Sequence, residues 1–432
     1  MKFITAISLV STFITSTLAS PWGPAPKGPV NHGKTCTVQA LGNKVDDTPQ
    51  ILKAFEECNN GGIVVFPEDQ NYWIGTKLNP VIKDVTIEWK GTWTTISTTG
   101  ETTPTQLLFK TTTRASSSAE TAFISMDTEP VASTEMETPG TTLSKPLPNQ
   151  GDQCRLYFGT PATFLSKTAF FVKDSPLWAL NIMNGTNMWF DHITCNSTAL
   201  NAPYGNNWVQ NTDGFDTMDA NNVALTNMWY QGGDDCIAIK PRSYNIYVQN
   251  ITCHGGNGIA IGSLGQYLED SSVENVTVKD ANIISYNNDM HNSAYIKTYM
   301  GALVPQSSYE SAGLPRGGGW GVVRNILFRN FKIRGAGIGP NINQDSGDNG
   351  SFSGTSKMLV SGVRFVDFEG YMVGAKGNRT AVVSCSTVHP CYGIELDGMK
   401  LASSENVTEV GAQGTCSYVE EGGVKGLAGP GC

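Results

Sequence analysis

The stretches NVALTN (222–227), NIYVQN (245–250), NVTVKD (275–280) and NILFRN (325–330) decide the fold, because they are copies of one short pattern. Each copy begins with Asn, has apolar residues at its second and fourth positions, and ends with Asn or Asp. A looser copy, GVRFVD, stands at 362–367. Alternating apolar positions are typical of β-strands that bury one face. The pattern therefore predicts a repeating unit of strand and turn.

The spacing of these copies predicts a solenoid. Successive copies begin 23, 30 and 50 residues apart, and the longest interval includes a Gly/Pro-rich insertion near 301–320. Coils of about 20–30 residues with one strand per face are typical of a β-helix, whereas a propeller needs longer four-stranded units. We expect an all-β, right-handed, single-stranded parallel β-helix over 20–432. An early rung lies at 81–93, and the pattern is continuous from 168.

The repeat also predicts which polar side chains stack. Asp234 and Asn257 each lie 12 residues after the first Asn of their copy. Equal offsets in successive coils place side chains above one another at about 4.8 Å, the strand spacing. Asn residues at matching turn positions should likewise form ladders of amide hydrogen bonds. If they were ordinary turn formers, their positions would be scattered instead.

Charge and the N-terminus restrict the functional class. The net charge of −9 argues against a nucleic-acid partner, which would require a basic face. It also argues against an anionic substrate, unless a few cations are focused in a cleft or the working pH is low. Residues 1–19 are typical of a secretory signal, with an apolar run after Lys2 and small residues up to Ala19. That run is too short for a membrane anchor, so we expect a secreted, extracellular protein.

The ten cysteines fit an oxidising compartment. Close pairs suggest the disulfides Cys36–Cys58, Cys236–Cys253, Cys385–Cys391 and Cys416–Cys432, although the sequence does not fix their connectivity. The sequence has no CxxC pairs or Cys/His spacing of a metal site. Seven sequons are candidate glycosylation sites: Asn184, Asn196, Asn250, Asn275, Asn349, Asn378 and Asn406.

Residues 94–165 interrupt the repeat with a Thr/Ser/Pro-rich stretch without β periodicity. This composition is typical of an O-glycosylated or disordered linker, but a linker would interrupt the stacking of coils. One common frame shift, with suitable codon choices, turns Thr98–Ser118, Met126–Thr141 and Gln150–Pro161 into sequences that resemble β-helix rungs and loops. We therefore interpret 94–165 as a disordered out-of-frame translation, in which Cys154 is not a genuine cysteine. An intact reading frame in the transcript across codons 90–170 would refute this.

The candidate chemistry lies in Asp213 of NTDGFD (211–216) and in Asp234 and Asp235 of GGDDC (232–236). Cleavage of an acetal requires one acid to protonate the leaving oxygen and one carboxylate to activate water or attack carbon. Neighbouring acids favour this, because like charges and burial separate their pKa values. Calcium binding is the alternative, but Gly, Cys and apolar residues flank these carboxylates rather than further oxygen ligands. We predict no metal and no cofactor.

NTDGFD, GGDDCIAIK, CHGGNGIAIGSLGQY and YIKTY resemble, in order, the signatures of the fungal polygalacturonase family of glycoside hydrolases, whose fold is a pectin-lyase-like β-helix. The match covers about 168–400, plus the early rung. The resemblance implies that Asp234 is the general acid and that Asp213 and Asp235 activate water in one inverting displacement. It also implies that Lys297 binds the substrate carboxylate and that Cys236 and Cys253 form a disulfide beside the site.

Two residues depart from the family pattern. Asn257 stands where the family usually has His, and Tyr295-Ile296-Lys297 replaces the usual Arg-x-Lys. Asn257 must therefore act through hydrogen bonds alone, and a bidentate carboxylate clamp is lost. These changes, with GSLGQY and the insertion near 301–320, resemble the exo-acting branch, which includes enzymes proposed to act on rhamnogalacturonan. The candidate substrate-binding residues are Lys297, Asn257, Asn211, Tyr295 and His254.

The resemblance thus implies an exo-polygalacturonase that removes terminal α-1,4-linked galacturonic acid from pectin or oligogalacturonides. The alternatives are an exo-hydrolase acting on rhamnogalacturonan or xylogalacturonan, and an inactive pectin-binding solenoid. We expect a monomer that binds pectic carbohydrate but neither nucleic acid nor membranes. Four aromatic residues could stack on sugar rings, although packing is their more ordinary role: Trp208, Tyr230, Trp320 and Tyr299.

Overall fold

The computed structural model describes residues 33–76, 78, 80–82, 85–95, 106–109, 111–116, 122–126, 156–159, 163–166, 170–173, 175, 178–197, 211–286, 290–305, 315–346, 351–373, 379–407 and 410–432. The predicted signal segment 1–19 lies outside these residues, as do Cys154, Trp208, Asn349 and Asn378. No helix among the described residues is long and apolar enough to cross a membrane.

The N-terminal coils begin with a short strand and a helix. The elements are β1 (Thr35–Thr37), α1 (Thr48–Glu57), β2 (Ile63–Phe66), β3 (Asn71–Ile74), β4 (Val81–Ile82), β5 (Thr86–Trp89) and β6 (Thr92–Thr95). Helix α1 has Pro49 in its first turn, where the missing N–H has no cost. Its buried face includes Ile51 and Phe55, and the Phe55 ring lies 6.1 Å from that of Phe66. The early rung predicted at 81–93 is thus confirmed as strands.

The segment 94–165 contains strands that run against the rest of the solenoid. Strands β7 (Gln106–Phe109), β8 (Thr111–Ser116) and β9 (Ala122–Met126) are followed by β10 (Leu156–Gly159), β11 (Thr163–Ser166) and β12 (Phe170–Lys173). The strands β7, β8 and β9 pair antiparallel with both of their neighbours. These stretches are strands rather than the disorder expected for the whole segment, and their Thr, Phe, Ile and Leu residues are compatible with strands. One coil, however, runs in reverse order between two normal ones.

The C-terminal coils alternate short and long strands. They are β13 (Leu180–Met183), β14 (Thr186–Asn196), β15 (Phe215–Met218), β16 (Asn221–Gly232), β17 (Ile237–Ile239), β18 (Ser243–Gly255), β19 (Ile259–Leu264), β20 (Val273–Ile284), β21 (Ala294–Tyr299), β22 (Val304–Pro305), β23 (Pro315–Arg316), β24 (Trp320–Ala336), β25 (Pro340–Ser346), β26 (Lys357–Met372), β27 (Ala381–Ser384), β28 (Tyr392–Asp397), β29 (Lys400–Ala402), β30 (Gly414–Ser417) and β31 (Val424–Lys425). Within the described part of the chain, one sheet has 11 strands: β4, β9, β10, β13, β15, β17, β19, β21, β25, β27 and β30. Strands β22 and β23 form a two-stranded sheet, and the others, which include the long strands, belong to an 18-stranded sheet.

The sequence copies stack in register. Val223 pairs with Ile246, Ile246 with Val276, and Val276 with Ile326, all in parallel strands. These residues occupy the same position of the repeat, so equal offsets do correspond to one column. The predicted right-handed parallel β-helix is confirmed.

Aromatic side chains stack within the apolar core. The rings of Phe328 and Phe365 are parallel, with centroids 5.3 Å apart, and those of Phe331 and Phe368 are 4.5 Å apart. All four side chains are fully buried. Successive coils thus repeat the same core contact, which strengthens the strand register.

The first Asn residues of three copies form the predicted ladder, which ends on Asn221, the residue before the first copy, whereas Asn222 bonds to Asn187. Amide hydrogen bonds run from Asn245 Nδ2 to Asn221 Oδ1 at 2.8 Å, from Asn275 to Asn245 at 3.0 Å, and from Asn325 to Asn275 at 2.7 Å. Each first Asn of a copy has a φ between 56° and 60°, the left-handed region that Asn tolerates better than most residues. Asn suits these positions for two reasons: it tolerates the left-handed backbone conformation, and its side chain forms the amide hydrogen bonds of the ladder.

We expect Asn245→Ala to lower the free energy of unfolding by about 1–3 kcal/mol, because it forces Ala into a left-handed backbone and removes two amide hydrogen bonds. Asn245→Gly is the control, since it loses the same hydrogen bonds without backbone strain. Urea unfolding should rank wild type above Gly and Gly above Ala. Equal stability of the two variants would contradict a cost of the left-handed conformation.

The four predicted disulfides are present, with Cα atoms 4.9–6.1 Å apart: Cys36–Cys58, Cys236–Cys253, Cys385–Cys391 and Cys416–Cys432. Cys36–Cys58 joins β1 to the end of helix α1. Cys195 is a free, buried cysteine. The first and fourth pairs lie in the first and last described coils of the solenoid, and the second lies beside the acidic turns.

The predicted glycosylation sites differ in environment. Asn184 and Asn406 are exposed, and Asn196 is half-buried. In Asn250 and Asn275 the amide nitrogen, to which a glycan would be attached, donates a hydrogen bond to Asn227 and Asn245, respectively. A glycan at either residue would replace one hydrogen bond of a ladder. Glycosylation of the sequons remains a prediction.

Candidate active site

Two turns on neighbouring coils bring the three predicted carboxylates to one edge of the 11-stranded sheet. Asp213 lies two residues before β15, whereas Asp234 and Asp235 lie between β16 and β17. The turns are joined by a hydrogen bond from Gly214 N to Asp235 O of 3.0 Å. Gly214 is required there, because a Cβ atom would lie 2.6 Å from the Tyr230 ring and 2.7 Å from Cys236 O.

Tyr230 fixes both turns from inside the core. Its hydroxyl lies 3.0 Å from the carbonyl oxygens of Thr212 and Asp234 and accepts a hydrogen bond from Asp234 N at 3.2 Å. Tyr230 is fully buried, and Tyr299 is 2% exposed, so neither is available to stack on a sugar. Trp320 is 54% exposed. Packing is thus the role of the two tyrosines.

Asp234 is the most accessible of the three carboxylates, since Asp213 and Asp235 are only 3% and 1% exposed. Its Oδ2 accepts a hydrogen bond from Asn211 N at 2.7 Å. Its Oδ1 accepts one from Asn257 Nδ2 at 3.0 Å, so the predicted stacking of Asp234 on Asn257 is confirmed. Burial and the charge of Asp235 raise the pKa of Asp234, and Lys297 opposes this rise. A proton on Asp234 is therefore retained at a higher pH than on an ordinary Asp.

Asp235 is held by two predicted site residues. Lys297 Nζ lies 2.9 Å from Asp235 Oδ2 and also 2.9 Å from the Tyr295 hydroxyl, which itself donates to Asp235 Oδ1. Burial disfavours a charged Lys297, but the carboxylates of Asp235 and Asp234 outweigh it and raise the lysine pKa. Burial, reinforced by Asp235, raises the pKa of Tyr295. An ammonium, a neutral phenol and a carboxylate thus form one cluster.

Asp213 belongs to a second cluster that the sequence analysis missed. Lys240 Nζ lies 3.3 Å from Asp213 Oδ2 and 3.3 Å from Asp216 Oδ2. Asp216 is the second acid of NTDGFD, and Lys240 ends GGDDCIAIK, so both were present in the quoted motifs. Strand alternation was the available signal, since Asp216 and Lys240 occupy the same face of the sheet as Tyr295 and Lys297.

The structure does not bring His254 together with the carboxylates. Its Nδ1 lies 2.8 Å from Gln231 Oε1, and its ring lies 5.0 Å from that of Tyr286. On β18 the inward positions are Cys253 and Gly255, so His254 faces outward from the other sheet. Burial lowers the pKa of His254. Its proposed role in substrate binding therefore has no support from these contacts.

The Cys236–Cys253 disulfide joins the acidic turn to β18. The next coil approaches this turn closely, because Asn257 N donates to Asp234 O at 2.9 Å. Gly256 has a φ of 71°, and a Cβ atom there would lie 2.1 Å from Asp234 O. The glycines of GGNG therefore allow Asn257 to reach the Asp234 carboxylate.

We expect Asn257→His to move the descending limb of the pH–rate profile to lower pH by about one pH unit. A protonated imidazole beside Asp234 would favour its carboxylate, so the acid would lose its proton earlier. Asn257→Gln is the control, because it retains the amide without adding a titratable group. A pH–rate profile unchanged by the histidine would mean that this position does not tune Asp234.

A parallel β-helix with clustered carboxylates at one sheet edge defines a solenoid of the glycosidase class. The family model described as Glycosyl hydrolases family 28 matches residues 165–423. A relative from Aspergillus niger named "Putative galacturan 1,4-alpha-galacturonidase C" is 54% identical over 92% of this chain and 94% of its own. An exopolygalacturonase of Cochliobolus carbonum is 30% identical over 88% of this chain and 84% of its own.

The endo-xylogalacturonan hydrolase of Aspergillus tubingensis has the same fold. Its crystal structure superimposes with a TM-score of 0.60 over 92% of this chain and 98% of its own, at 20% sequence identity. The chain belongs to glycosyl hydrolases family 28 and is a glycoside hydrolase.

Proposed function

We propose that this protein is a secreted exo-polygalacturonase, which hydrolyses the terminal α-1,4-linked galacturonic acid of pectin fragments with inversion. The observation that carries the proposal is the accessible Asp234 beside the buried Asp213 and Asp235, at one edge of the sheet. The names of the relatives from Aspergillus niger and Cochliobolus carbonum support the galacturonic substrate and the exo mode.

Asp234 is the proposed general acid, and Asp213 and Asp235 activate the attacking water. A raised pKa suits Asp234, because it must hold a proton until the glycosidic oxygen departs. Asp235 suits the opposite role, because Lys297 Nζ lies 2.9 Å from its Oδ2 and the Tyr295 hydroxyl donates to its Oδ1. The different surroundings of Asp234 and Asp235 thus suit one carboxyl to donate a proton and the other to accept one.

Lys297 is the proposed contact for the substrate carboxylate. Its side chain is 22% exposed although it is paired with Asp235, so it is partly open to the solvent. Tyr295 replaces a second cation there and is 5% exposed. Asn211 acts through its backbone N–H, which donates to Asp234. One lysine without an arginine is a weaker anion site, which suits a substrate bound at one terminal residue.

Product analysis tests the exo mode. The purified protein is incubated with oligogalacturonides, and early products are separated by anion-exchange chromatography. Monomeric galacturonate without mixed oligomers is the expected result, whereas a ladder of oligomers at early times would contradict the exo mode. Release of galacturonate only from rhamnogalacturonan or xylogalacturonan would identify the alternative substrates. Binding without any turnover would identify an inactive pectin-binding solenoid.

A further inference from the structure

Lys240 is placed between two carboxylates and under an aromatic ring. Its side chain is 12% exposed, and its Nζ lies 3.3 Å from an oxygen of both Asp213 and Asp216. The same ammonium lies 4.2 Å from the centre of the Trp178 ring, within the range of a cation–π contact. One cation therefore contacts two acids of the NTDGFD motif, Asp213 before β15 and Asp216 within it, and the proposed reaction gives it no direct role.

Lys240 is the cation in contact with Asp213, and the other charged groups nearby do not take its place. Asp234 and Asp235 on the neighbouring turn repel the Asp213 carboxylate. Lys297 is engaged by Asp235 and the Tyr295 hydroxyl. The buried phenol of Tyr230 also lies near Asp213 and is neutral, so it supplies no positive charge.

Asp216 has few ways to stabilise a negative charge. It is fully buried, and neither of its oxygens has a hydrogen-bond partner among the described residues, beyond the ion pair with Lys240. Its register neighbours are Asn181 on β13 and Ala238 on β17, which are uncharged. Two buried carboxylates beside a single ammonium repel each other when both are charged. Ionisation of the second carboxylate therefore requires more free energy than ionisation of the first.

We propose that Lys240 and Asp216 are positioning residues that keep Asp213 ionised: Asp216 holds a proton and leaves the Lys240 charge to Asp213. The inference rests on the proposed role of Asp213 in activating water. Burial raises the pKa of Asp216 to about 7, against the opposing charge of Lys240. Burial and Asp216 also raise the pKa of Asp213, whereas Lys240 opposes that rise. The pKa values of both carboxylates are raised, and the geometry distinguishes the two: Lys240 Nζ donates a hydrogen bond to Asp213 Oδ2, whereas Asp216 receives none among the described residues. The proton is therefore placed on Asp216.

Opposite effects of two substitutions test the pair. Lys240→Met removes the cation, so the ascending limb of the kcat/KM profile should move up by about one to two pH units. Lys240→Arg restores the charge and should return the limb close to that of the wild type. Asp216→Asn mimics the protonated acid, so the limb should lie at or below the wild-type value. A purely structural role predicts no such difference in direction.

Two readouts keep the inference separate from the proposed function. Carbon-13 NMR of labelled aspartate, with Asp213→Asn for assignment, measures the pKa of Asp213 without any substrate and should show the same shifts. Thermal unfolding identifies variants that fail to fold, and if Lys240→Met is one of them, Asp216→Asn carries the comparison with the wild type. A folded Lys240→Met with an unshifted Asp213, or an Asp216→Asn that shifts it upwards, would overturn the proposal. Absence of galacturonate release by the wild type would instead contradict the proposed function alone.

Discussion

Asp234→Asn is expected to lower kcat by about 10²- to 10⁴-fold, the contribution of a general acid. Asparagine has nearly the shape of the aspartate and can still accept the hydrogen bond from Asn211 N, but it cannot donate a proton to the glycosidic oxygen. Binding of oligogalacturonide should change little, because the lost interaction develops only in the transition state. Steady-state kinetics and calorimetric titration with trigalacturonate measure the two quantities.

Asp397→Asn is the matched control for this substitution, since Asp397 is an exposed acid at the end of β28. It removes the same charge from the protein and should leave kcat at the wild-type value. A folded Asp234→Asn whose kcat stays within about tenfold of the wild type would exclude Asp234 as the general acid. Equal binding and no turnover in both the wild type and Asp234→Asn would support an inactive solenoid.

Lys297→Met should lower the free energy of unfolding by about 3 kcal/mol near neutral pH, because it leaves the buried Asp235 carboxylate without its cation. The side chain of Asp235 is 2% exposed in this ion pair, so water cannot replace the ammonium of Lys297. The same change should raise KM for oligogalacturonides, since Lys297 is the proposed contact for their carboxylate. Urea unfolding of the folded variant gives the stability, and initial rates give KM.

Lys332→Met is the control for stability. Lys332 pairs with Glu369 at 3.9 Å, but both side chains are 54% exposed, and surface pairs contribute about 0–1 kcal/mol. The double change Lys297→Met with Asp235→Asn should recover part of the lost stability, because no buried charge remains. A loss for Lys297→Met no larger than that for Lys332→Met would contradict a dependence of Asp235 on this lysine.

The features of the fold that follow from local repetition could be predicted. The Asn ladders and the contact of Asp234 with Asn257 follow from equal offsets in successive coils, because the parallel register turns sequence spacing into vertical stacking. The four disulfides followed from the spacing of cysteine pairs. In these cases a short-range pattern determines the contact.

Features that depend on several coils at once were harder to predict from the sequence. The pairing of Lys240 with Asp213 and Asp216 requires the register of two strands and the burial of the sheet face. His254 was chosen for its proximity in sequence to Asn257, but it faces outward from a different sheet. The reversed coil formed by β7, β8 and β9 follows no pattern in the sequence.

The winding of that reversed coil bears on the out-of-frame interpretation. A solenoid keeps one handedness because each coil continues the direction of the last, and a right-handed crossover is strongly preferred. The strands that break this rule fall inside the Thr/Ser-rich segment at 94–165. The interpretation itself remains a prediction, to be tested on the transcript.

The anomeric form of the first product tests the mechanism most directly. If Asp234 protonates the leaving oxygen while water held by Asp213 and Asp235 attacks from the opposite side, an α-linkage must yield β-galacturonate first. Proton NMR during the first minutes of trigalacturonate hydrolysis should therefore show the β-anomer before mutarotation. Appearance of the α-anomer first would contradict a single displacement by water and the roles assigned to the three carboxylates.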